Sequence, residues 1–461
     1  MLARLAPLGV MLFAMLLPTV GWASGGGEHL EPPPVWTTSF FVVMLLSIAI
    51  LPLTPLEHWW HKNHNKLIVG LCLAVYPLIH ITVVQPAFTQ LEHTLVEYVQ
   101  FIILLGTLFY VSGGIFLTGD LKASPATNLK FLAFGTLIAS VVGTTGASML
   151  LIRPVLRTNH ERKHKVHVVV FFIFLVSNIG GSLLPIGDPP LFLGYLGGVP
   201  FTWTLGLWKA MFMVAGILLT IFYFVDRHYY NKESLKDRKE DAATVEPLRV
   251  EGKLNILWLA GIVLCVALTP QEWGLLREAM MVGCAVGSHL TSDKGVRVKN
   301  QFTWFPILEV AALFIGIFLT MIPALILLKA EGGSLGVDSP AKFFWFTGVL
   351  SSFLDNAPTY LVFFNTAQGM VESGALSYPA DQMVQMTKAG VTEVPTIILQ
   401  AISVGAVFMG ANTYIGNGPN FMVKAIAEES RVEMPGFFGY MKWSMMLLIP
   451  CFGLVTLVFF L

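Results

Sequence analysis

Apolar stretches long enough to cross a bilayer recur along the chain, near 37–56, 66–88, 97–120, 129–152, 166–197, 202–225, 253–270, 275–291, 302–328, 343–369, 391–425 and 437–461. A spanning helix needs about 20 such residues, so the pattern predicts an all-α polytopic membrane protein. The segment 226–253 differs: half its residues are charged, in equal numbers of each sign. It reads as a solvated cytoplasmic linker between a first transmembrane half, 37–225, and a second, 254–461. Several apolar stretches are interrupted. Residues 177–196, "SNIGGSLLPIGDPPLFLGYL", carry Asn178 and Asp188 among glycines and prolines. The stretch 129–152 contains "VVGTTGASM", and 343–369 contains "SSFLDNAPTYLVFF". Irregular backbone at membrane depth is tolerated only where protein or a water-filled cavity satisfies its polar groups.

Composition narrows the class. The 461 residues are 55% hydrophobic and 12% charged, too little polarity to cover a water-exposed surface. Mean hydropathy is +0.70. Lys plus Arg equals Asp plus Glu at 28 each, which implies no acidic or basic partner. Cys72, Cys265, Cys284 and Cys451 are isolated in apolar segments and read as small apolar residues. The N-terminus, "MLARLAPLGVMLFAMLLPTVGWAS", has a basic residue, an apolar core and small residues at Gly21 and Ala23. It reads as a signal peptide over 1–23, followed by an extracytoplasmic segment over 24–36. The expected location is a bacterial-type inner membrane, with the lipid bilayer as the first partner.

Lys and Arg in short loops mark the cytoplasmic side. Loops 57–66, 153–165 and 292–300 are basic. Placing all of them inside requires 129–152 to enter and leave on one side, as a re-entrant hairpin. Segment 343–369 is likewise polar at its middle; if it is a hairpin too, the count has it enter from the opposite side. Two inverted repeats are expected, each with a hairpin and a discontinuous helix.

An ungapped comparison supports the repeat. "GSLLPIGDPPLFL" (181–193) and "GANTYIGNGPNFM" (410–422) agree at five of 13 positions, Gly181/Gly410, Ile186/Ile415, Gly187/Gly416, Pro190/Pro419 and Phe192/Phe421. Asp188 falls opposite Asn417. Gly/Pro-interrupted segments at matching places in two halves point to a transporter's binding site. Breaking a helix frees N–H groups at one new end and carbonyls at the other, attracting anions and cations respectively. Pro189 and Pro190 suit the first turn of a half-helix, with Asp188 in the N-cap position.

At these residues the sequence resembles the ion transporter superfamily, which includes NhaD-type sodium/proton antiporters, citrate/cation symporters and arsenite permeases. "SNIGGSLLPIGDPP" and "SSFLDNAPT" carry the resemblance, which covers most of the chain after residue 35. It implies two inverted repeats and, often, a homodimer. Members often carry an acidic "LDN"-like hairpin in both halves. Here the first hairpin reads "TTGAS" and has no carboxylate.

An ionised carboxylate near the bilayer centre costs roughly 2.5–3.5 kcal/mol on insertion scales, so it faces a cavity or a partner. Asp188, Asp355 and Glu309 are the acids within apolar segments. The expected ion-binding set is Asp355, Asn356, Asp188, Asn178, Asn412, Thr413, Asn417, Asn420, Thr144, Thr145 and Glu309. Asp355 and Asn356 are the sodium ligands in this reading. Burial disfavours the charged form of a carboxyl, so sodium and a proton compete for Asp355, and alternating access turns that competition into antiport. Two alternatives use the same residues: a cation-coupled citrate or dicarboxylate symporter, and an arsenite-type oxyanion efflux permease. An intramembrane aspartic enzyme would need two adjacent carboxylates, and "PIGD" lacks the Gly-x-Gly-Asp pattern. The sequence shows no phosphate-binding loop, nucleophile triad or nucleic-acid signature. It reads as a non-enzyme without resident cofactor, with sodium and the proton as moving ions. His58, His61 and His64 flank interfacial tryptophans. His160, His164 and His167 read as solvated loop residues.

Overall fold

The computed structural model describes residues 31–234, 241, 245–270, 273 and 275–461. The expected signal 1–23, residues 24–30, and linker residues 235–240 and 242–244 lie outside the described residues. Helices dominate the chain. Among the described residues, six are long and apolar enough to cross a membrane: Asn63–Val84, Phe88–Ser112, Pro125–Val142, Trp203–Lys232, Phe305–Leu335 and Phe437–Phe460. Large apolar side chains such as Val83, Phe134, Phe224 and Met446 stand exposed along them. Apolar surface on that scale is what lipid covers, and the chain is a multi-pass membrane protein.

The two discontinuous segments lie inside this shell. Every residue of 167–182 and of 401–414 is buried. Each runs helix, break, helix. The first is Val166–Leu175, then two short 3-10 turns at Ile179–Ser182 and Pro185–Gly187, then Pro189–Leu196. The second is Thr396–Met409, a 3-10 turn at Gly410–Asn412, then Gly418–Glu429. The residues before the second half-helices share one extended conformation, Asp188 at φ −144°, ψ 143° and Asn417 at φ −154°, ψ 139°.

The glycines aligned in sequence serve the same local purpose. A Cβ on Gly187 would lie 2.2 Å from the Gly181 carbonyl oxygen, and one on Gly416 would lie 2.6 Å from that of Gly410. Only glycine lets the chain fold back on itself so closely.

The segment expected as the first hairpin consists of Pro125–Val142 and Thr144–Thr158, broken at Gly143. Gly143 has φ +79°, a conformation that favours glycine. Its legs return side by side: a Cβ on Gly135 would meet Leu151 Cδ1 at 2.9 Å, equal steps either side of the turn. The open ends meet too, since Asn128 and Asn159 exchange amide hydrogen bonds of 2.9 and 2.8 Å. The second hairpin is Pro340–Phe353 and Asn356–Glu372, with Leu354 and Asp355 extended between them. Phe343 and Phe363 pack edge-on across it at 6.3 Å.

One end of the molecule gathers the basic loops and part of the linker. Arg157 donates to the carbonyls of Leu117 and Gly119, and Asn300 to those of Gly113 and Ile115. Phe116–Asp120 pairs antiparallel with Glu246–Glu251. The linker region is therefore partly structured: Trp208–Lys232 continues as helix past Asp226, which is fully buried. At the far end of Phe305–Glu331, Met383–Val384 pairs with Val394–Pro395 within the connection from the second hairpin to the second broken helix.

The backbone contact at Gly187 gives a direct stability test. Gly187→Ala forces a Cβ against Gly181 and Ser140 backbone, and overpacking of this kind costs about 1–3 kcal/mol. The variant should melt several degrees below wild type in detergent. Gly216→Ala, where nothing lies within 4 Å, should melt at or above it. Equal melting temperatures for the two variants would contradict the close approach.

Candidate functional site

Four elements converge on one carboxyl group. Asp188 Oδ1 accepts from Thr144 Oγ1 at 2.8 Å and from Asn417 Nδ2 at 3.0 Å. Its Oδ2 accepts from Asn356 Nδ2 at 2.6 Å. Thr144 is the first helical residue after the first hairpin's turn, and Asn356 holds that position in the second. Asp188 and Asn417 are the matched positions of the two broken helices. Asp188 is the N-cap residue by position, as expected, but its side chain does not cap; it faces the three donors instead. Hydrogen bonds to a charged group are worth about 1.5–3 kcal/mol each. Three of them are enough to offset the roughly 2.5–3.5 kcal/mol that an ionised acid costs at the centre of a membrane-spanning helix.

Around this hub, side chains satisfy the opened backbone. Asn178 donates to the Ile173 carbonyl at 2.8 Å and to Asn420 Oδ1 at 2.7 Å. Its own Oδ1 accepts from Asn417 at 3.1 Å. Asn420 donates to the carbonyls of Gly410 and Thr413 at 2.8 and 2.9 Å. Thr413 donates to the Ser352 carbonyl at 2.5 Å. The Ile173 and Gly410 carbonyls are ones that a broken helix leaves unpaired.

Two serines that the sequence reading did not single out tie each hairpin to its broken helix. Ser140 Oγ donates to the Gly180 carbonyl at 2.5 Å and accepts from Leu183 N at 2.9 Å. Ser352 Oγ shares its proton between the Gly348 carbonyl of its own helix at 2.8 Å and the Met409 carbonyl at 3.1 Å, and accepts from Asn412 Nδ2 at 2.9 Å. Gly180 and Met409 are matched by the same alignment, as are Leu183 and Asn412. A signal existed: each serine stands three residues before the hairpin turn, at Gly143 and Asp355.

The other expected residues are placed differently. Asp355 is half-buried and accepts from its own helix at Ala357 N, 3.1 Å, as an N-cap. No hydrogen bond joins the Asp188 and Asp355 carboxyls among the described residues. Thr145 makes none with the cluster. Glu309 is not with the others: it pairs with the buried Lys66 and links the starts of Asn63–Ile79 and Phe305–Glu331. His58, His61 and His64 are exposed. His167 is not solvated; it is buried, with Nε2 2.8 Å from Asp226 Oδ1, which also receives Arg162 at 2.5 Å. All four cysteines are free, with Cys72 exposed, Cys284 half-buried and Cys265 and Cys451 buried.

The cluster's donor chemistry suits a hard cation. Among the described residues no group of three His, Cys, Asp or Glu side chains could hold a metal. The set is one carboxylate with amide, hydroxyl and backbone oxygens, the kind of ligand that hard cations prefer. Two buried amide oxygens, Asn356 Oδ1 and Asn412 Oδ1, have no hydrogen-bond partner. A carboxylate offers about four acceptor positions, and Asp188 uses three.

Comparison with known proteins places this arrangement. No curated protein matches the chain. A family model described as "Putative citrate transport" matches residues 30–460, nearly the whole length. With its membrane-spanning helices, the chain belongs to that family of secondary transporters.

Proposed function

We propose that the protein is a sodium/proton antiporter in which the two cations compete for Asp188. The observation that carries this reading is the buried Asp188 carboxyl held by Thr144, Asn356 and Asn417, with the amide oxygen of Asn356 itself left without a partner. Asp188, Asn356 and Asn412 would supply the sodium-facing oxygens. A proton on Asp188 removes the charge that sodium needs, so the two do not bind together. That exclusion, combined with alternating access, exchanges one cation for the other.

The matched contacts of the two halves support two repeats. The first hairpin opens toward the basic loops, whereas the second opens toward Lys329 and the 373–395 connection. Those placements favour an inverted relation, with the basic end facing the cytoplasm. In that arrangement both hairpin turns reach the hub from opposite sides, and withdrawal of either exposes Asp188 to one side only.

Charge substitution tests this reading. In proteoliposomes with an imposed sodium gradient, Asp188→Asn should reduce sodium-driven proton movement to background. Full exchange by this variant, with normal insertion, would rule out Asp188 as the shared site. Asp355→Asn preserves a residue that caps helices as well as Asp does, so its melting temperature should stay near wild type. Its exchange should nonetheless fall well below wild type, because a negative charge beside Asn356 is lost. Unchanged exchange would remove Asp355 from the mechanism.

A second reading rests on the family's description. In a cation-coupled symporter for citrate or a dicarboxylate, the same cluster holds the coupling cation. Labelled citrate uptake driven by an inward sodium gradient, without sodium-dependent acidification, would favour symport. Acidification without uptake would favour antiport.

A further inference from the structure

Away from the hub, a cavity of about 190 Å³ opens between Phe88–Ser112, Phe305–Glu331 and Asn356–Glu372. One ordered water needs only about 10–15 Å³ of such space, so the cavity is sized for an organic molecule rather than a bare ion. Its charged lining consists of Lys329, Lys388 and Glu97. Gln90 and Asn365 add carboxamides. The cavity is removed from Asp188: Asn365 lies nine residues along its helix from Asn356, about 13 Å at 1.5 Å per residue.

Lys388 does not belong to the helices. It sits on the strap that joins the second hairpin to the second broken helix, and the strap is fastened on both sides. Thr387 donates to the Gly198 carbonyl through its N–H at 2.7 Å and its hydroxyl at 3.0 Å. Gln368 donates to the Thr392 carbonyl at 3.1 Å. Lys388 Nζ is 3.7 Å from Glu97, beyond hydrogen-bonding distance. An ammonium carries three donors, so Lys388 has donors left for a ligand. Lys329 pairs with Glu372 at 2.8 Å at the cavity's edge. Two ammonium groups on separate elements line one cavity with the amides, each with donors left beside its carboxylate neighbour, a set that matches a molecule bearing more than one carboxylate.

We propose that this cavity is a second ligand site, distinct from the Asp188 cluster, that takes a small di- or tricarboxylate, with Lys388 and Lys329 as its charge partners. The ligand is either cargo held before it reaches the hub or an effector that acts from the strap; both present the same carboxylates.

The test is equilibrium binding of citrate and succinate to the full-length protein in detergent, in sodium-free buffer, followed by calorimetry. Wild type should bind at least one of them. The Lys329→Gln/Lys388→Gln double variant should bind at least tenfold more weakly, and Lys388→Arg should retain affinity, which separates lost charge from lost fold. No binding by wild type at millimolar concentration, or equal binding by the double variant, would overturn the proposal. Labelled citrate uptake in proteoliposomes then separates the sources: uptake marks cargo, and a change in sodium-driven proton movement without uptake marks an effector. Because the first readout omits sodium, its failure leaves the reading at Asp188 standing, and failure at Asp188 leaves this site standing.

Discussion

The structure depends on how one buried carboxyl is kept in hydrogen-bonding company. Asp188 takes a donor from each hairpin and one from the opposite broken helix. No other side chain among the described residues joins all four polar elements in this way. Removing the carboxyl would strand two buried donors, Thr144 Oγ1 and Asn356 Nδ2, each at a cost of about 1–3 kcal/mol, while Asn417 would keep its bond to Asn178. The same contacts that favour the fold thus place the charge where an ion could meet it.

The surrounding architecture follows from the need to break helices without leaving their ends unsatisfied. Glycine permits the chain to double back at Gly187 and Gly416. Asn178, Asn420, Ser140 and Ser352 then take over the carbonyls that the broken helices release. This explains why the interrupted segments are fully buried while the long helices carry the exposed apolar faces. It also explains why the two halves agree in contacts where they differ in residues. Asp188 and its aligned counterpart Asn417 share one backbone conformation, yet only Asp188 can carry charge.

Much of this was legible in the sequence. Gly/Pro-interrupted apolar runs marked the broken helices, and loop charge required the hairpin around Gly143. The ungapped match of 181–193 with 410–422 named the residues whose close approaches coincide. Which acid sits at the centre was not legible, because an N-cap position fixes the backbone but leaves the side chain free to turn. Asp188 turns toward Asn356 and Asn417, whereas Asp355 turns back to Ala357. Adjacent threonines were equally ambiguous: successive helical residues point about 100° apart, and only Thr144 faces the hub. Glu309 could be separated from the set only by finding Lys66, 243 positions away in sequence. The burial of His167 depended likewise on a distant partner, Asp226.

The central claim is that sodium and a proton contend for the Asp188 carboxyl. Sodium binding to the purified protein, followed calorimetrically in buffers of different ionisation enthalpy, tests it most directly. Competition at a single acid predicts up to one proton released per sodium bound, and an apparent sodium affinity that falls about tenfold per pH unit once the acid is protonated. Sodium binding that is equally tight across that range and releases no proton would contradict the account.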